Sequence, residues 1–559
     1  MNKQKDYPLN EVQKFSSIKE MLEIAVRQVP DKVAFKYKVN KEVKDVTYSE
    51  FQDDTLCLGE ALVELNVADK HIAVIGENSY DWVTVYLTVL KSSGVIVPID
   101  KELPFHNIMN VLKSSDSEVM FYAQKYEKDL MEHQDELSNI KYFVGFSREN
   151  DDGKFLSYKL LKEKGKKLIE AGSKKYSEIK PDEGKLKMLV YTSGTTGMAK
   201  GVMLSEHNLV NSVYHGLRVS TVYERCLSVL PYHHTYEAVS GLLVSLHHHS
   251  SICINENLKT VQKNLQLYKP DYVYLVPAFV EVFYKKIWSN AKQTGKEKAL
   301  KILIKISNFL RKIGIDLRRK LFKSVLDAFG GNLIKIVCGG APIRAELGEF
   351  FDDIGINLIN GYGITECSPL VSANRDYFND PATVGSILPC CEVKIENKDE
   401  DGNGEILVKG DVVMMGYYKN PKLTEEVLKN GWFNTGDYGR INEKGQLMIT
   451  GRKKNLIVLD NGKNVFPEEI EGYIMSIPYV LEVIVRGIKN DEGIETGLSA
   501  EVVLNEESVK EMGIENPQES LRKDITEVTK ELPTYKRVSK VILRETPFEK
   551  TTSNKIKRG

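Results

Sequence analysis

The sequence is poor in the features that would set a chain apart from the ordinary globular class. Its 559 residues include only seven cysteines, at positions 57, 226, 253, 338, 367, 390 and 391. They are scattered, odd in number and without zinc-ligand spacing. That argues against a disulfide framework or a zinc site and for a reducing, cytoplasmic setting. No run of about 18 apolar residues occurs, so no membrane-spanning helix is expected. The opening MNKQKDYPLNEVQKFSS has no apolar core, so no signal peptide is expected. The 77 lysines and arginines nearly cancel the 78 aspartates and glutamates, leaving a formal net charge of −1. Nothing global therefore draws the chain to nucleic acid. Repeats and low-complexity tracts are absent too. What is present is 42% hydrophobic residues in a chain long enough for about three or four domains. Such a chain can bury large cores without disulfides or metals.

Short apolar runs alternate with helical patterns through the first two thirds. His71–Ile75 reads as a buried strand, Ser79–Leu90 as a helix and Gly94–Ile99 as the next strand, a βαβ unit. Lys187–Tyr191 reads as a strand and Ser205–Leu217 as the following helix. Further strands are expected at Cys226–Leu230, Tyr272–Val276 and Leu333–Val337. This predicts an α/β fold with doubly wound, mainly parallel sheets. In such sheets ligands gather beyond the carboxyl ends of the strands. From about Thr383 the texture becomes alternating and turn-rich, which predicts a β-barrel-like subdomain. After the charged junction Gly451–Asn455 the chain reads as a small α+β domain, with a helix opening at Pro467. The expected division is residues 1–451 and 452–559.

Residues 285–323 are rich in lysine and arginine, with Glu297 and Asp316 among the few acids. Ile302, Leu303, Ile306, Phe309 and Leu310 recur there at helical spacing. Two readings compete: a surface helix pair that touches acidic lipid, or a solvated amphipathic hairpin packed on the large domain. The second is the commoner arrangement.

The chemistry concentrates in a few polar segments. Tyr191-Thr-Ser-Gly-Thr-Thr-Gly-Met-Ala-Lys200-Gly-Val202 offers donors at Thr192, Ser193, Thr195, Thr196 and Lys200, on a backbone made pliant by Gly194 and Gly197. It fits a phosphate chain, although the Walker spacing is absent. Gly361-Tyr362-Gly363-Ile-Thr365-Glu366 follows a strand. Its aromatic ring can lie against a purine, and its hydroxyl and carboxylate suit phosphate and Mg2+. Gly431–Asp437 ends in a carboxylate expected on a turn, suited to two ribose hydroxyls. Arg452 lies just downstream, and Thr551–Lys557 carries Lys555 in a polar tail. Gly339, Gly340, Ala341 and Pro342 are small enough to leave room for an acid.

Taken in order, these segments resemble the adenylate-forming superfamily of acyl-CoA synthetases, luciferases and peptide-synthetase adenylation domains. The likeness runs from about residue 20 to the end. It implies that the Tyr191–Gly201 loop holds ATP phosphates and that Tyr362 stacks on adenine. Glu366 would hold Mg2+, with Thr365 beside it, and Asp437 and Arg452 would hold ribose. Lys555 would bridge the carboxylate and the α-phosphate, and Lys454 would be the hinge of a mobile C-terminal domain. Three stretches, Gly197–Ser205, Leu230–Glu237 and Asn461–Glu469, are similar to long-chain fatty acyl-CoA synthetases. There His234 and Glu237 would stand near the acyl entrance. No sharp motif marks a CoA site; Gly462, Lys463 and Asn464 are its candidate contacts. Glu206 and Asn554 depart from the commonest residues, and Glu206 is expected to make the far edge of the phosphate loop more acidic.

The implied reaction is a carbon–sulfur ligation. ATP and Mg2+ activate a fatty acid as its acyl-adenylate, and CoA takes the acyl group, leaving AMP and pyrophosphate. The alternatives are an aryl or short-chain acid, an acyl carrier protein as acceptor, or a silent nucleotide- and acyl-binding protein. The His247–His249 run does not have the i, i+3 or i+4 spacing that zinc needs on a helix. His233 and His234 read as a gate or pocket wall, because an ionised carboxylate needs no base. Cys338 and Cys367 read as packing residues.

Overall fold

A computed structural model of the chain describes residues 6–192, 199–490, 493–550, 556 and 558. Ser193, Gly194, Thr195, Thr196, Gly197, Asn554 and Lys555, singled out above, lie outside the described residues.

Two large sheets carry the N-terminal region. In the eight-stranded sheet, His71–Ile75 lies parallel between Val95–Pro98 and Ser117–Tyr122, as a right-handed βαβ alternation requires. Ser79 starts the intervening helix, Tyr80–Leu90, by accepting the Trp82 N–H on its side chain. Leu186–Thr192 joins this sheet parallel to Val95–Pro98. Between this strand and the expected helix the chain adds an element the sequence did not predict. It returns as a second strand, Lys200–Ser205, antiparallel to the first with Thr192 opposite Lys200. The helix Glu206–Val219 begins only after it, capped by Ser205 and Asn208. The strand Lys200–Ser205 escaped the sequence reading because its glycine and lysine hide a short run of alternation.

The fourteen-stranded sheet contains the parallel run Ser251–Ile254, Arg225–Ser228, Tyr272–Leu275, Lys335–Cys338 and Asn357–Gly363. Asn357–Gly363 is the pivot of this sheet. Asn357–Asn360 pair parallel with Lys335–Cys338, whereas Gly361–Gly363 pair antiparallel with Leu370–Ala373. Beyond it the sheet stays antiparallel through Gly385–Ile387, Gln446–Arg452, Trp432–Ile441, Gly404–Gly410 and Cys391–Glu396. The turn-rich region expected from Thr383 onward is thus continuous with the parallel sheet. After Asn455 the chain forms a three-stranded sheet, Val480–Lys489, Glu495–Leu504 and Lys540–Arg544, with helices Pro467–Met475 and Pro517–Val528 over its own apolar core.

A buried ion pair fixes the strands that lead to the pivot. Lys335 opens its strand with its side chain wholly buried, and its Nζ lies 2.6 Å from Oδ1 of Asp376, which is 6% exposed. The same ammonium donates to Ser220 Oγ at 2.7 Å and to the Thr221 carbonyl at 2.5 Å. Removing one partner of such a pair leaves an unpaired buried charge, at a cost of about 3–5 kcal/mol. Asp376→Ala is therefore expected to lower the urea midpoint of the N-terminal region markedly. An unchanged midpoint would mean that Ser220 and Thr221 alone satisfy the ammonium.

Candidate active site

The pivot strand delivers the Gly361–Glu366 segment to the line where the two sheets meet. Glycine is required at its end, because a Cβ on Gly363 would stand 2.1 Å from the Pro369 carbonyl oxygen. Tyr362 is buried there, and its hydroxyl donates to Asp437 Oδ2 at 2.5 Å. Asp437 does not close a turn, as the sequence predicted. It lies within the strand Trp432–Ile441, just past a bulge in which Thr435 Oγ1 accepts its N–H at 3.0 Å. Its Oδ1 lies 2.9 Å from Arg452 Nε, on the neighbouring strand in direct register. Three segments separated by up to 90 positions thus meet in one chain of polar contacts, Tyr362–Asp437–Arg452. Burial, then the Asp437 carboxylate, pushes the Tyr362 phenol well above its ordinary range, so it stays a donor.

A second cluster lies a few residues along. Glu366 Oε1 accepts the Tyr417 hydroxyl at 2.9 Å. Lys200 Nζ stands 5.5 Å from the centre of the same tyrosine ring. The backbone brings these parts together: Gly416–Tyr417 adds to the hairpin strand Lys200–Ser205, and the Met414 N–H donates to the Glu366 carbonyl at 2.9 Å. Residues 414–417 therefore stitch one sheet to the other and bring the strand Lys200–Ser205 close to Glu366. Nothing in the sequence marked Tyr417, which sits in an unpatterned Met-Met-Gly-Tyr-Tyr run.

The fit to a divalent cation rests on Glu366. Among the described residues its Oε2 accepts no hydrogen bond, and no group of three His, Cys, Asp or Glu side chains could hold a metal. One open carboxylate oxygen matches magnesium's habit of binding one or two carboxylates and completing its shell with phosphate and water. Burial and the neighbouring Glu366 and Asp437 charges raise the Cys367 thiol well above its usual range, which makes it an inert packing group.

The third element is a wall of small and wide-turned backbone. Gly339 is buried at the end of Lys335–Cys338, and a Cβ there would stand 3.3 Å from the Gly361 carbonyl and 3.4 Å from the Tyr236 ring. Gly340 takes φ +83°, and Gly340, Ala341 and Pro342 are exposed. Tyr236, which lies within the Leu230–Glu237 stretch, donates to the Val337 carbonyl at 3.0 Å. It opens a π-helix, Tyr236–Leu243, a form that recurs at functional sites. Inside the wide turn lies Glu237, fully buried, with Ser228 Oγ donating to its Oε1 at 2.5 Å and, among the described residues, no hydrogen-bond partner for Oε2. Gly241 leaves room for it, since a Cβ there would meet the Glu237 carboxyl at 2.7 Å. Burial pushes this carboxyl up to about 8. His234, two residues before Tyr236, accepts the Glu237 and Ala238 N–H groups on its carbonyl. His233 Nε2 lies 3.3 Å from Asp100 Oδ1, and burial lowers its pKa well below the usual value.

Other expected residues lie apart. Lys454 sits in a one-turn helix, Lys453–Asn455, at the junction, and burial and the nearby Arg452 lower its pKa. Gly462, Lys463 and Asn464 form the tip and return of a short hairpin, where Lys463 pairs with Glu400 at 3.2 Å. Glu206 does not acidify the loop edge: it is buried, accepts the Ile18 N–H at 2.9 Å and faces Lys187 at 3.8 Å. His247 anchors the core, with Nε2 2.9 Å from the Gln13 carbonyl.

Residues 22–418 match the AMP-binding enzyme family, and residues 454–559 match the AMP-binding enzyme C-terminal domain. The chain belongs to the AMP-binding enzyme family. It is 30% identical over 499 residues to the long-chain-fatty-acid–CoA ligase FadD15 of Mycobacterium bovis, covering 82% of this chain and 78% of that one. It is 28% identical over 496 residues to long-chain-fatty-acid–CoA ligase 1 of Cavia porcellus, covering 83% and 70%. Among solved structures, the anthranilate CoA ligase AuaEII in complex with anthranoyl-AMP superposes with a TM-score of 0.77 at 18% identity, covering 98% of this chain and 96% of that one. No helix among the described residues is long and apolar enough to cross a membrane.

Glu237 yields a test with a definite sign. Its pKa rises from 4.5 to about 8 on folding, so between those values the folded chain holds a proton that the unfolded chain has lost. Stability then falls as pH rises through that window, by at most about 1.4 kcal/mol per pH unit from this group. Glu237→Gln, which keeps the shape without the charge, is expected to flatten that slope in thermal melts taken from pH 5 to 8. Parallel curves for the two proteins would show that the carboxyl is not held neutral.

Proposed function

We propose that the protein is an AMP-forming ligase that activates a fatty acid as its acyl-adenylate and passes the acyl group to CoA. The observation that carries this reading is the convergence of Tyr362, Asp437 and Arg452 beside Glu366, Tyr417 and Lys200 where the two sheets meet. The first set offers a flat ring and a carboxylate suited to adenine and ribose. The second offers a carboxylate and a cation, and Lys200 follows the donor-rich segment directly in sequence. Glu366 would hold Mg2+, which screens the triphosphate's charge when bound.

A carboxylate does not yield directly to a thiol, because oxide would have to leave. In the proposed first step a carboxylate oxygen bonds to the α-phosphorus of ATP and the bond to pyrophosphate breaks. In the second, the CoA sulfur bonds to the acyl carbon, the thiol proton is lost to solvent and AMP leaves. The first step brings anion to anion, so fixed positive charge is needed where they meet. Lys200 supplies part of it, and Lys555 on the C-terminal domain would supply the rest. The second step needs that lysine withdrawn, and the Lys453–Asn455 turn would be the hinge. Gly339 and Gly340, walled by Tyr236, would receive the acid, with His234 and Glu237 at its entrance.

The test is pyrophosphate release with a panel of saturated fatty acids, short-chain acids and aryl acids, using CoA and an acyl carrier protein as alternative acceptors. Release with fatty acids and CoA supports the reading. Release confined to aryl or short acids, or thioester formed only on carrier protein, replaces it. ATP binding without any release makes the chain a silent binder.

Lys555→Ala is expected to lower acyl-adenylate formation by roughly 10²–10³ or more. It should leave thioester formation from supplied acyl-adenylate intact, and equal loss of both half-reactions would refute this division of labour. Lys454→Pro should hold the small domain in one orientation and depress overall turnover while sparing one half-reaction. Full turnover in that variant would remove Lys454 from the hinge.

A further inference from the structure

The basic segment at 285–323 carries the largest mismatch between side-chain chemistry and environment outside the site. The segment does pack on the large domain, with Leu303 of the stripe toward the core, but most of the apolar stripe stays outside. Ile302, Ile306, Phe309 and Ile313 are 56%, 47%, 64% and 59% exposed. Their spacing of four, three and four residues sets them in one row along the helix Glu297–Lys312 and its first following residue. That row spans about 16 Å at the helical rise. The same helix is held to the domain by its other side. Leu300 and Ser307 are buried, and Leu303 and Ile304 pack on the core. Arg311 pairs with Asp352 at 2.8 Å, and Asn308 donates to Asp353 at 2.9 Å. The outward row is thus presented by a firmly seated helix.

Charge along the row selects its partner. Lys298, Lys305 and Lys312, seven residues apart, line one flank and are exposed. The two acids of the segment are already engaged, Glu297 with Lys301 at 2.6 Å and Asp316 with Arg318 at 2.6 Å. Two copies meeting face to face would crowd lysine rows with no acid free to offset them. A surface that is apolar within and anionic at its rim satisfies both features. We propose that this face docks the protein on a bilayer carrying anionic headgroups, with Ile302, Ile306, Phe309 and Ile313 among the acyl chains and the lysine flank against headgroup phosphates.

This placement has a consequence for the site. The helix Pro277–Gln293, which packs beside Glu297–Lys312, starts at the strand end next to Gly340: Val276 Cγ1 lies 3.8 Å from where a Cβ on that glycine would be. Arg344, two residues past Pro342, grips Glu281 of that helix with two bonds of 2.7 and 3.1 Å. The docking face and the glycine wall are thus joined through the helix Pro277–Gln293. The inference does not depend on which acid the site takes.

The experiment is co-sedimentation of the full chain with vesicles of phosphatidylcholine alone and of phosphatidylcholine with phosphatidylglycerol, at low and high salt. The wild type is expected to sediment with the anionic vesicles, less so at high salt, and not with the neutral ones. K298E/K305E/K312E should weaken that binding on the order of a hundredfold. I306S/F309S should weaken it as well, and both variants should melt at the wild-type temperature because the changed side chains are exposed. Failure of the wild type to bind anionic vesicles, or wild-type binding by both variants, overturns the proposal. A dimer that I306S/F309S abolishes, without vesicle binding, overturns it in favour of a second copy of the chain.

Discussion

Everything around the candidate site depends on one strand serving two ladders. Asn357–Gly363 closes the parallel sheet with its first half and opens the antiparallel one with its second. A parallel sheet presents its carboxyl ends to ligands, and an antiparallel sheet brings distant hairpins alongside. Joining them through a single strand lets Tyr362 face Asp437, which lies 75 residues on in sequence and is carried by an antiparallel neighbour. The joint has a steric condition: the carbonyl of Pro369 comes so close to Gly363 that no side chain can stand there. The site therefore exists because two kinds of sheet can be spliced at a glycine.

The same logic explains how Lys200 reaches the second sheet. The strand Lys200–Ser205 pairs with Leu186–Thr192 on one side and with Gly416–Tyr417 on the other, so its first residue, Lys200, is carried to the second sheet by backbone pairing. Lys200, Tyr417 and Glu366 meet because backbone pairing brings them together, so their geometry does not rely on long, flexible side chains. This is the preorganisation that electrostatic work on a charged substrate requires.

Much of this was legible in the sequence, and what was missed has identifiable causes. The βαβ alternation, the polar segments and their order could be read because periodicity and glycine placement are local signals. The Lys200–Ser205 strand could not, because its glycine and lysine hide a short run of alternation. Asp437 read as a turn residue because Asn434-Thr435-Gly436 has turn composition; the structure absorbs that turn as a bulge inside a strand. Glu206 read as a surface acid, yet Lys187 and the Ile18 N–H draw it into the core. Tyr417 had no local signature at all, and the Tyr362–Asp437 bond could not be read from either segment alone. The amphipathic stripe at 302–313 was visible as a period, but periodicity does not say which face meets the core.

That last ambiguity also explains how the helix Glu297–Lys312 can be both anchored and apolar outside. A helix usually turns its greasy side inward because burial is its main source of stability. Here Arg311, Asn308 and Arg318 supply directional bonds to Asp352 and Asp353, which tie the helix down through polar contacts. The apolar row is then released from holding the fold together. A chain with almost no net charge would gain little from long-range attraction to any surface. A local cluster of lysines beside an exposed apolar row acts only within about a Debye length, which is the range at which a docked face operates.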